Sequence, residues 1–212
     1  MVINSRMICL IQLMLTVAMT ILTDSKCYAN IKQKDHNYNI INNKNNSYIY
    51  IIRHGEKKWL LGCLSKAGEE RAQALKSIFQ NKFSLPNHIF ANFYDDHIDC
   101  ERCIETVTPI AKELHLTVNS TYGYNKKLGG NKGAANAFKN VILTSQKIPQ
   151  TLLVAWEHIN IKPLTEALGV PLAKIPSWKG SNFDTVYVLA FNSTAHLISF
   201  DVSSEGFTPH RV

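Results

Sequence analysis

The sequence predicts an α/β fold, a three-layer α/β/α sandwich with a largely parallel mixed sheet. Two apolar runs rich in β-branched and aromatic residues, at 48–52 and 151–156, have the length and composition of buried strands. Segments with the apolar spacing of amphipathic helices lie between these runs. Strands that alternate with helices favour a parallel sheet with helices packed on both of its faces.

The first 29 residues have the layout of a secretory signal peptide. A positive charge at Arg6 precedes an apolar stretch at 7–22, and Ala29 is a suitable last residue before cleavage. The apolar stretch is shorter than the roughly 20 residues that a membrane-spanning helix needs. We therefore expect export to a periplasmic or extracellular location, with no stable membrane span in the mature form. A retained membrane anchor is the alternative.

Residues 30–47 are rich in Asn and Lys and are predicted to form a flexible leader, which leaves 48–212 as the folded domain. The 212-residue chain is 45% hydrophobic and 18% charged, so one packed domain is feasible. Its formal net charge of +7 suits an anionic substrate. No run of Lys and Arg exceeds two residues, and a nucleic-acid partner is therefore not expected.

After the first strand, a helix capped by Ser65 is predicted to extend to about residue 80. Its apolar side is formed by Ala72, Leu75, Ile78 and Phe79. The side expected to face solvent carries Glu69, Glu70, Arg71 and Lys76. A short strand is predicted at 88–91, followed by a helix at about 101–114 in which Pro109 should cause a kink or a restart.

Four further elements are predicted in the second half besides the strand at 151–156. They are a possible strand at 116–122, a helix at about 134–144, a helix at 163–168 and a closing hairpin with strands at 185–191 and 197–202. The glycine-rich segment 129–133 is predicted to be a flexible turn. Pro163 is predicted to occupy the first position of its helix.

Three cysteines, Cys63, Cys100 and Cys103, lie in the predicted domain. In an oxidising compartment one pair could form a disulfide and leave one thiol free. Buried thiols are the favoured interpretation. Cys100-x-x-Cys103 lacks a second cysteine pair or a histidine pair at metal-ligand spacing, so a zinc site is not favoured. No cofactor is expected.

Both apolar strands are followed by a histidine beside a charged residue. Arg53 and His54 end the first strand, and Glu157 and His158 follow the second. Arg102 lies at the predicted start of the second helix, where free backbone N–H groups favour anions. Because open α/β sheets bind ligands past the carboxyl ends of their strands, these groups predict a pocket for a tetrahedral anion.

These segments resemble the histidine phosphatase superfamily, which has the phosphoglycerate-mutase-like fold. The matching segments are 51–57, 64–72, 102–106, 109–111, 153–158 and, as in a bacterial subgroup, 178–184. The resemblance implies a metal-free phosphomonoester hydrolase acting on a small phosphorylated substrate. It implies that His54 attacks phosphorus and carries a phosphohistidine, while Arg53, Arg102 and His158 hold the phosphoryl oxygens.

The resemblance leaves the general acid open. Many family members supply a Glu from the segment after the second helix, but residues 114–156 contain no Asp or Glu. Glu157 is the first candidate for the general acid. The alternative is that Glu157 is a structural carboxylate that pairs with Arg53 or Arg102. The second candidate is Glu56, and the third is the pair Asp95 and Asp96. Lys57, close to the site, either lines the substrate entrance or is simply solvated.

The unusual position of the acid motivates an alternative function. The domain could be a non-catalytic phosphate- or phosphopeptide-binding module on the same fold. A further alternative is a secreted interaction protein in which the site is vestigial.

Overall fold

The computed structural model describes residues 44–58, 62–94, 100–125 and 127–210. The predicted signal peptide, most of the predicted leader, and Asp95 and Asp96 lie outside the described residues. Within the described ranges, no helix combines the length and the apolar character needed to cross a membrane.

A mixed sheet of six strands forms the middle layer of the described part of the chain. The strands are β1 (Ser47–Arg53), β2 (His88–Ala91), β3 (Val118–Asn119), β4 (Thr151–Trp156), β5 (Thr185–Phe191) and β6 (Leu197–Ser204). Their order is β3-β2-β4-β1-β5-β6, in which the first four are parallel, β5 is antiparallel to β1, and β6 is antiparallel to β5. The predicted α/β class with a mixed sheet is confirmed.

Four α-helices cover the two faces of this sheet in the described residues. They are α1 (Lys66–Lys82), α2 (Arg102–Glu113), α3 (Gly130–Thr144) and α4 (His158–Ala167). Ile49 and Ile51 point from β1 into a core shared with α3 and α4. Tyr50, on the opposite face of the strand, packs against Phe79 and Phe83 at the α1 side. Alternate residues of one buried strand thus serve two helical layers.

Several predicted elements differ from the observed ones. The segment 130–133, predicted to be a flexible turn, belongs to α3. A Cβ on Gly133 would lie 1.7 Å from the Leu128 carbonyl oxygen, so only glycine permits this packing. Helix α4 begins at His158, five residues before Pro163. Helix α2 continues through Pro109 without a restart, and the possible strand at 116–122 shrinks to two residues.

Arg71 was expected to face solvent, but its side chain is 3% exposed. It binds Glu56 and Glu205, which compensate its charge inside the protein. The helical pattern of α1 does not reveal this, because one of the partners lies 134 residues further along the chain.

Candidate active site

The carboxyl ends of β1 and β4 lie side by side because the two strands are parallel neighbours. Arg53 pairs with Trp156 in the ladder, and the His54 N–H donates to the Trp156 carbonyl at 3.3 Å. The residues that follow the two strands, His54 and Glu157, therefore meet at one edge of the sheet, where such folds bind ligands.

His54 is buried, with only 2% of its surface exposed, and lies at the centre of this edge. Its Nδ1 is 2.7 Å from the carbonyl oxygen of Gly55, which can only accept, so Nδ1 carries the proton. Burial lowers the pKa of His54 to about 4, helped by the positive charges of Arg102 and Arg53. The ring is therefore neutral at pH 7, and Nε2 presents a lone pair to the pocket.

The loop after β1 is held in place by close backbone packing. A Cβ on Gly55 would lie 3.0 Å from the Cα of Gly68, so glycine is needed where the loop crosses the start of α1. The Gly55 N–H donates to the Thr106 hydroxyl at 2.8 Å, and this hydroxyl donates to the Arg102 carbonyl at 2.7 Å. Thr106 thus fixes the His54 loop against the first turn of α2.

Arg102, the first residue of α2, reaches back towards the end of β4. Its Nη2 lies 2.7 Å from Oε1 of Glu157, and its guanidinium carbon lies 5.4 Å from the centre of the Tyr94 ring. Its Nε is buried without a hydrogen-bond partner. Arg102 therefore retains one donor that no described residue uses.

Arg53 is held by the segment before β5. Its Nη1 donates to the carbonyls of Gly180 at 2.5 Å and Asn182 at 3.2 Å, and its guanidinium stacks on Phe183 at 3.8 Å. Burial lowers the pKa of Arg53, but a guanidinium keeps its proton at any working pH. Its Nε is also buried without a partner, so a second donor is available to a ligand.

Glu157 lies between Arg102 and His54. Its Oε1 accepts from Arg102 and from the Tyr94 hydroxyl, and its Oε2 lies 3.7 Å from Nε2 of His54. The predicted pairing with Arg102 is therefore present, and the same carboxylate also faces the histidine. Both interpretations of Glu157, acid and structural partner, stay open on this geometry.

His158 starts α4 and lies against the segment that holds Arg53. Its Nε2 is 3.3 Å from the Trp178 carbonyl oxygen, and its Cε1 is 4.0 Å from the position of a Cβ on Gly180. The structure thus brings His54, Arg102 and Glu157 into direct contact. It links His158 and Arg53 through a shared loop.

Glu56 is directed towards Arg71, and Lys57 is exposed. Glu56 accepts two hydrogen bonds from Arg71, at 2.8 and 3.0 Å. Burial acts to raise the pKa of Glu56, but the hydrogen bonds and charge of Arg71 outweigh it and hold that pKa below its usual range. An ionised Glu56 is poorly suited to donate a proton. Lys57 is exposed, and its backbone forms an isolated antiparallel β-bridge with Leu64. Its place at the substrate entrance stays a prediction.

A disulfide between Cys63 and Cys100 ties the His54 loop to the residues just before Arg102. The favoured interpretation of buried thiols is wrong for these two residues, and it holds for Cys103, which is buried and free. The backbone of neighbouring Leu64 also donates to Glu105 of α2 at 3.1 Å. Covalent and hydrogen bonds together fix α2 beside the loop.

Three contributors to the site were missed by sequence reasoning, namely Tyr94, Thr106 and Phe183. Tyr94 follows β2, a third parallel strand that ends at the same edge, and this position was a usable signal. Thr106 and Phe183 act through contacts that depend on the folded chain, so no local pattern marks them.

The described residues contain no group of three or more His, Cys, Asp or Glu side chains arranged to hold a metal ion. The expectation of chemistry without a metal or cofactor stays a prediction.

A scan against protein-family models finds no matching model, and a search of curated proteins finds no matching sequence. Solved structures do match. A mycobacterial glucosyl-3-phosphoglycerate phosphatase is 13% identical with a TM-score of 0.54, over 75% of this chain and 98% of that chain. The protein histidine phosphatase SixA, complexed with tungstate, is 13% identical with a TM-score of 0.54, over 74% of this chain and 97% of that one.

A phosphoserine phosphatase from Entamoeba histolytica, in complex with 3-phosphoglyceric acid, is also similar. It is 13% identical with a TM-score of 0.51, over 75% of this chain and 98% of that chain. The chain has the histidine phosphatase fold. At 13% identity these similarities establish the fold alone, which confirms the predicted architecture and leaves the activity to be argued from the site.

Proposed function

We propose that the protein is a phosphomonoester hydrolase that works through a phosphohistidine intermediate on His54. The observation that carries this proposal is the state of the imidazole. It is buried and neutral, its Nδ1 is tied to Gly55, and its Nε2 lies 3.7 Å from Glu157, with the charges of Arg102 and Arg53 acting on the ring. The fold is shared with solved phosphatases, one of them in complex with inorganic phosphate, which supports the same chemistry here.

In the first half of the reaction, Nε2 attacks phosphorus and the bond to the ester oxygen breaks. Arg53 and Arg102 balance the charge of the phosphoryl oxygens, for which each retains a free Nε donor. His158, at the start of α4, is directed to the Trp178 carbonyl, so in this proposal it must turn from that contact to bind a phosphoryl oxygen. In the second half, water attacks the phosphohistidine and His54 is restored.

Glu157 is the proposed general acid for the leaving alcohol. Its Oε1 is held by Arg102 and Tyr94, so Oε2 is the oxygen available to carry the proton. Oε2 lies 3.7 Å from Nε2, in the space that a phosphoryl group needs for in-line attack. Glu157 must therefore shift towards the leaving oxygen when the ester binds.

The test uses the purified full chain with 4-nitrophenyl phosphate. His54→Ala should lower the rate of phosphate release by at least about 10³-fold, because the nucleophile is lost. A rapid quench of the wild type should yield an acid-labile phosphohistidine. The matched control is His210→Ala, which removes an exposed imidazole and should leave the rate unchanged. Equal rates for the wild type and His54→Ala would contradict the proposal.

A non-catalytic phosphate-binding module is the second candidate. The ion pair between Glu157 and Arg102 favours it, because a carboxylate held as an anion cannot protonate a leaving group. Phosphate affinity without a phosphohistidine would select this candidate. Loss of both would indicate a vestigial site.

We also propose that the protein is exported after cleavage near Ala29. The disulfide between Cys63 and Cys100 supports this, because such bonds persist in oxidising compartments. Cell fractionation with N-terminal sequencing of the recovered protein tests it. An uncleaved protein in the membrane fraction would instead support the anchored alternative.

A further inference from the structure

We propose that binding of a phosphoryl group draws one proton onto Glu157, because its carboxylate occupies the place on Arg102 that the incoming anion needs. The inference rests on the proposed function, since it assumes that this pocket binds a phosphate group. It goes further by proposing that the Glu157 carboxylate competes with the phosphoryl group for Arg102. Glu157 then becomes the proton donor only when the substrate binds.

The geometry of the carboxylate resembles that of a bound oxyanion. Oε1 lies 2.7 Å from Nη2 of Arg102 and also accepts a hydrogen bond from the hydroxyl of Tyr94. Oε2 extends to within 3.7 Å of Nε2 of His54. Glu157 thus bridges the guanidinium that should hold a phosphoryl oxygen and the nitrogen that should attack phosphorus. A phosphoryl group cannot occupy this space while the carboxylate stays there.

The charges around Glu157 explain why a proton should accompany the anion. The groups that face Glu157 come from three parts of the chain. Arg53 and His54 lie at the end of β1, Tyr94 follows β2, and Arg102 and Cys103 belong to α2. His158 is the next residue after Glu157 in the chain. Burial raises the pKa values of Tyr94 and Cys103, so both are uncharged at neutral pH. His54 is also neutral. Among the described groups that face Glu157, the permanent cations are therefore the two guanidiniums of Arg53 and Arg102.

A dianion that enters this pocket adds two negative charges to that balance. With Glu157 ionised, three negative charges would face two guanidiniums in a water-poor site, where repulsion between like charges is strong. Protonation of Glu157 restores equal numbers of positive and negative charges. It also releases Oε1 from its ion pair, so that Arg102 becomes free to bind a phosphoryl oxygen.

The same proton completes the chemistry. When the ester bond breaks, the alkoxide takes the proton from Glu157 and leaves as the alcohol. The regenerated carboxylate then removes a proton from the water that attacks the phosphohistidine. Phosphate departs, and Glu157 returns its proton to solvent as it pairs with Arg102 again. Over the cycle, ester and water become alcohol and phosphate.

The experiment measures sulfate binding to the full chain by calorimetry, between pH 5.5 and 8, in two buffers of different ionisation enthalpy. Sulfate keeps its two charges throughout this range, so any proton taken up must go to the protein. The wild type should take up close to one proton per sulfate at the upper end of the range. Its affinity should rise by up to about tenfold for each unit that the pH falls there.

Glu157→Gln should bind sulfate more tightly than the wild type at pH 8, without proton uptake and with little dependence on pH. The matched control is Glu166→Gln, which changes an exposed glutamate of α4 and should behave as the wild type. If Glu157→Gln does not fold, Tyr94→Phe replaces it. Loss of the hydroxyl that donates to Glu157 should then move the range of proton uptake to higher pH.

Three results would overturn the inference. Sulfate binding by the wild type without proton uptake would overturn it and leave the proposed phosphatase activity intact. Proton uptake that persists in Glu157→Gln, or that does not move in Tyr94→Phe, would place the proton elsewhere, for example on His54. An absence of sulfate and phosphate binding in all variants would overturn the anion pocket itself, and the proposed function with it.

Discussion

Arg71 and Arg102 both project from helices towards buried carboxylates, but the clusters around them differ in charge balance. Arg71 contacts Glu56 at 2.8 Å, Glu205 at 2.5 Å and Asp184 at 3.9 Å, so three carboxylates surround one guanidinium. Around His54, by contrast, the described residues place Arg102 and Arg53 near Glu157, while the charge of Glu56, which is bound to Arg71, also acts on Arg53.

The difference indicates what each cluster does. Carboxylates exceed cations around Arg71, and burial raises the pKa of Glu205 to about 7, so this cluster has no need of a further anion. In the described part of the site around His54, two guanidiniums lie near Glu157, and the Nε of each is buried without a hydrogen-bond partner. Unpaired buried donors are costly unless a ligand satisfies them. We therefore assign stability to the first cluster and anion binding to the second.

The largest expected effect tests the Arg71 cluster. Arg71→Met should lower the free energy of unfolding by about 3–5 kcal/mol, because it leaves buried carboxylates without their cation. The rate of phosphate release per folded molecule should change little. Urea denaturation followed by circular dichroism measures the first quantity, and the aryl phosphate assay of the folded fraction measures the second. A stable but inactive Arg71→Met would break the comparison.

The next largest effect is a loss of stability at low pH, which follows from the lowered pKa of His54. The pKa of His54 is about 4 in the folded protein and near 6.5 when unfolded, so the folded state binds fewer protons between these values. Its contribution to stability is present above pH 6.5 and is lost as the pH falls through 4. The free energy of unfolding should therefore drop by about 2–3 kcal/mol more in the wild type than in His54→Gln.

Urea denaturation of both proteins at pH 7 and at pH 4 gives this difference directly. Other titrating groups are common to the two chains and cancel in the comparison. Parallel losses in the wild type and His54→Gln would show that the imidazole is not held neutral by burial.

The smallest expected effect comes from replacing Arg102 or Arg71 by lysine. It separates a role in anion binding from a role in stability. Arg102→Lys keeps the charge but loses the planar fork that binds oxyanions, so kcat/KM should fall by about 10–100-fold. The denaturation midpoint should move much less than in Arg71→Lys. Both substitutions are compared in the same two assays. If Arg102→Lys mainly destabilises the protein, the ion pair with Glu157 is structural.

The fold and the heart of the site could be predicted because their signals are local. The strands β1 and β4 are short apolar runs, and a charged residue with a histidine lies at the end of each, Arg53 and His54 in one case and Glu157 and His158 in the other. Parallel pairing then places His54 and Glu157 together without any further information. The antiparallel hairpin of β5 and β6 was predictable for the same reason.

The missed features depend on contacts between distant segments. The glycines at 130–133 indicate a turn by propensity, but Gly133 is needed for a helix that passes close to Leu128. The pairing of Cys63 with Cys100 and the burial of Arg71 against Glu205 require the folded chain. Helix α4 begins before Pro163 because packing of its apolar residues outweighs the preference of proline for the first position.

The bond between Cys63 and Cys100 makes the origin of a protein sample part of any assay. In a reducing cytosol the loop after His54 would be joined to the start of α2 only by hydrogen bonds, such as the one from Leu64 to Glu105. Such a preparation differs from the molecule described here at the very place where Arg102 is positioned. An expression host with an oxidising folding compartment is therefore the appropriate source for enzymology.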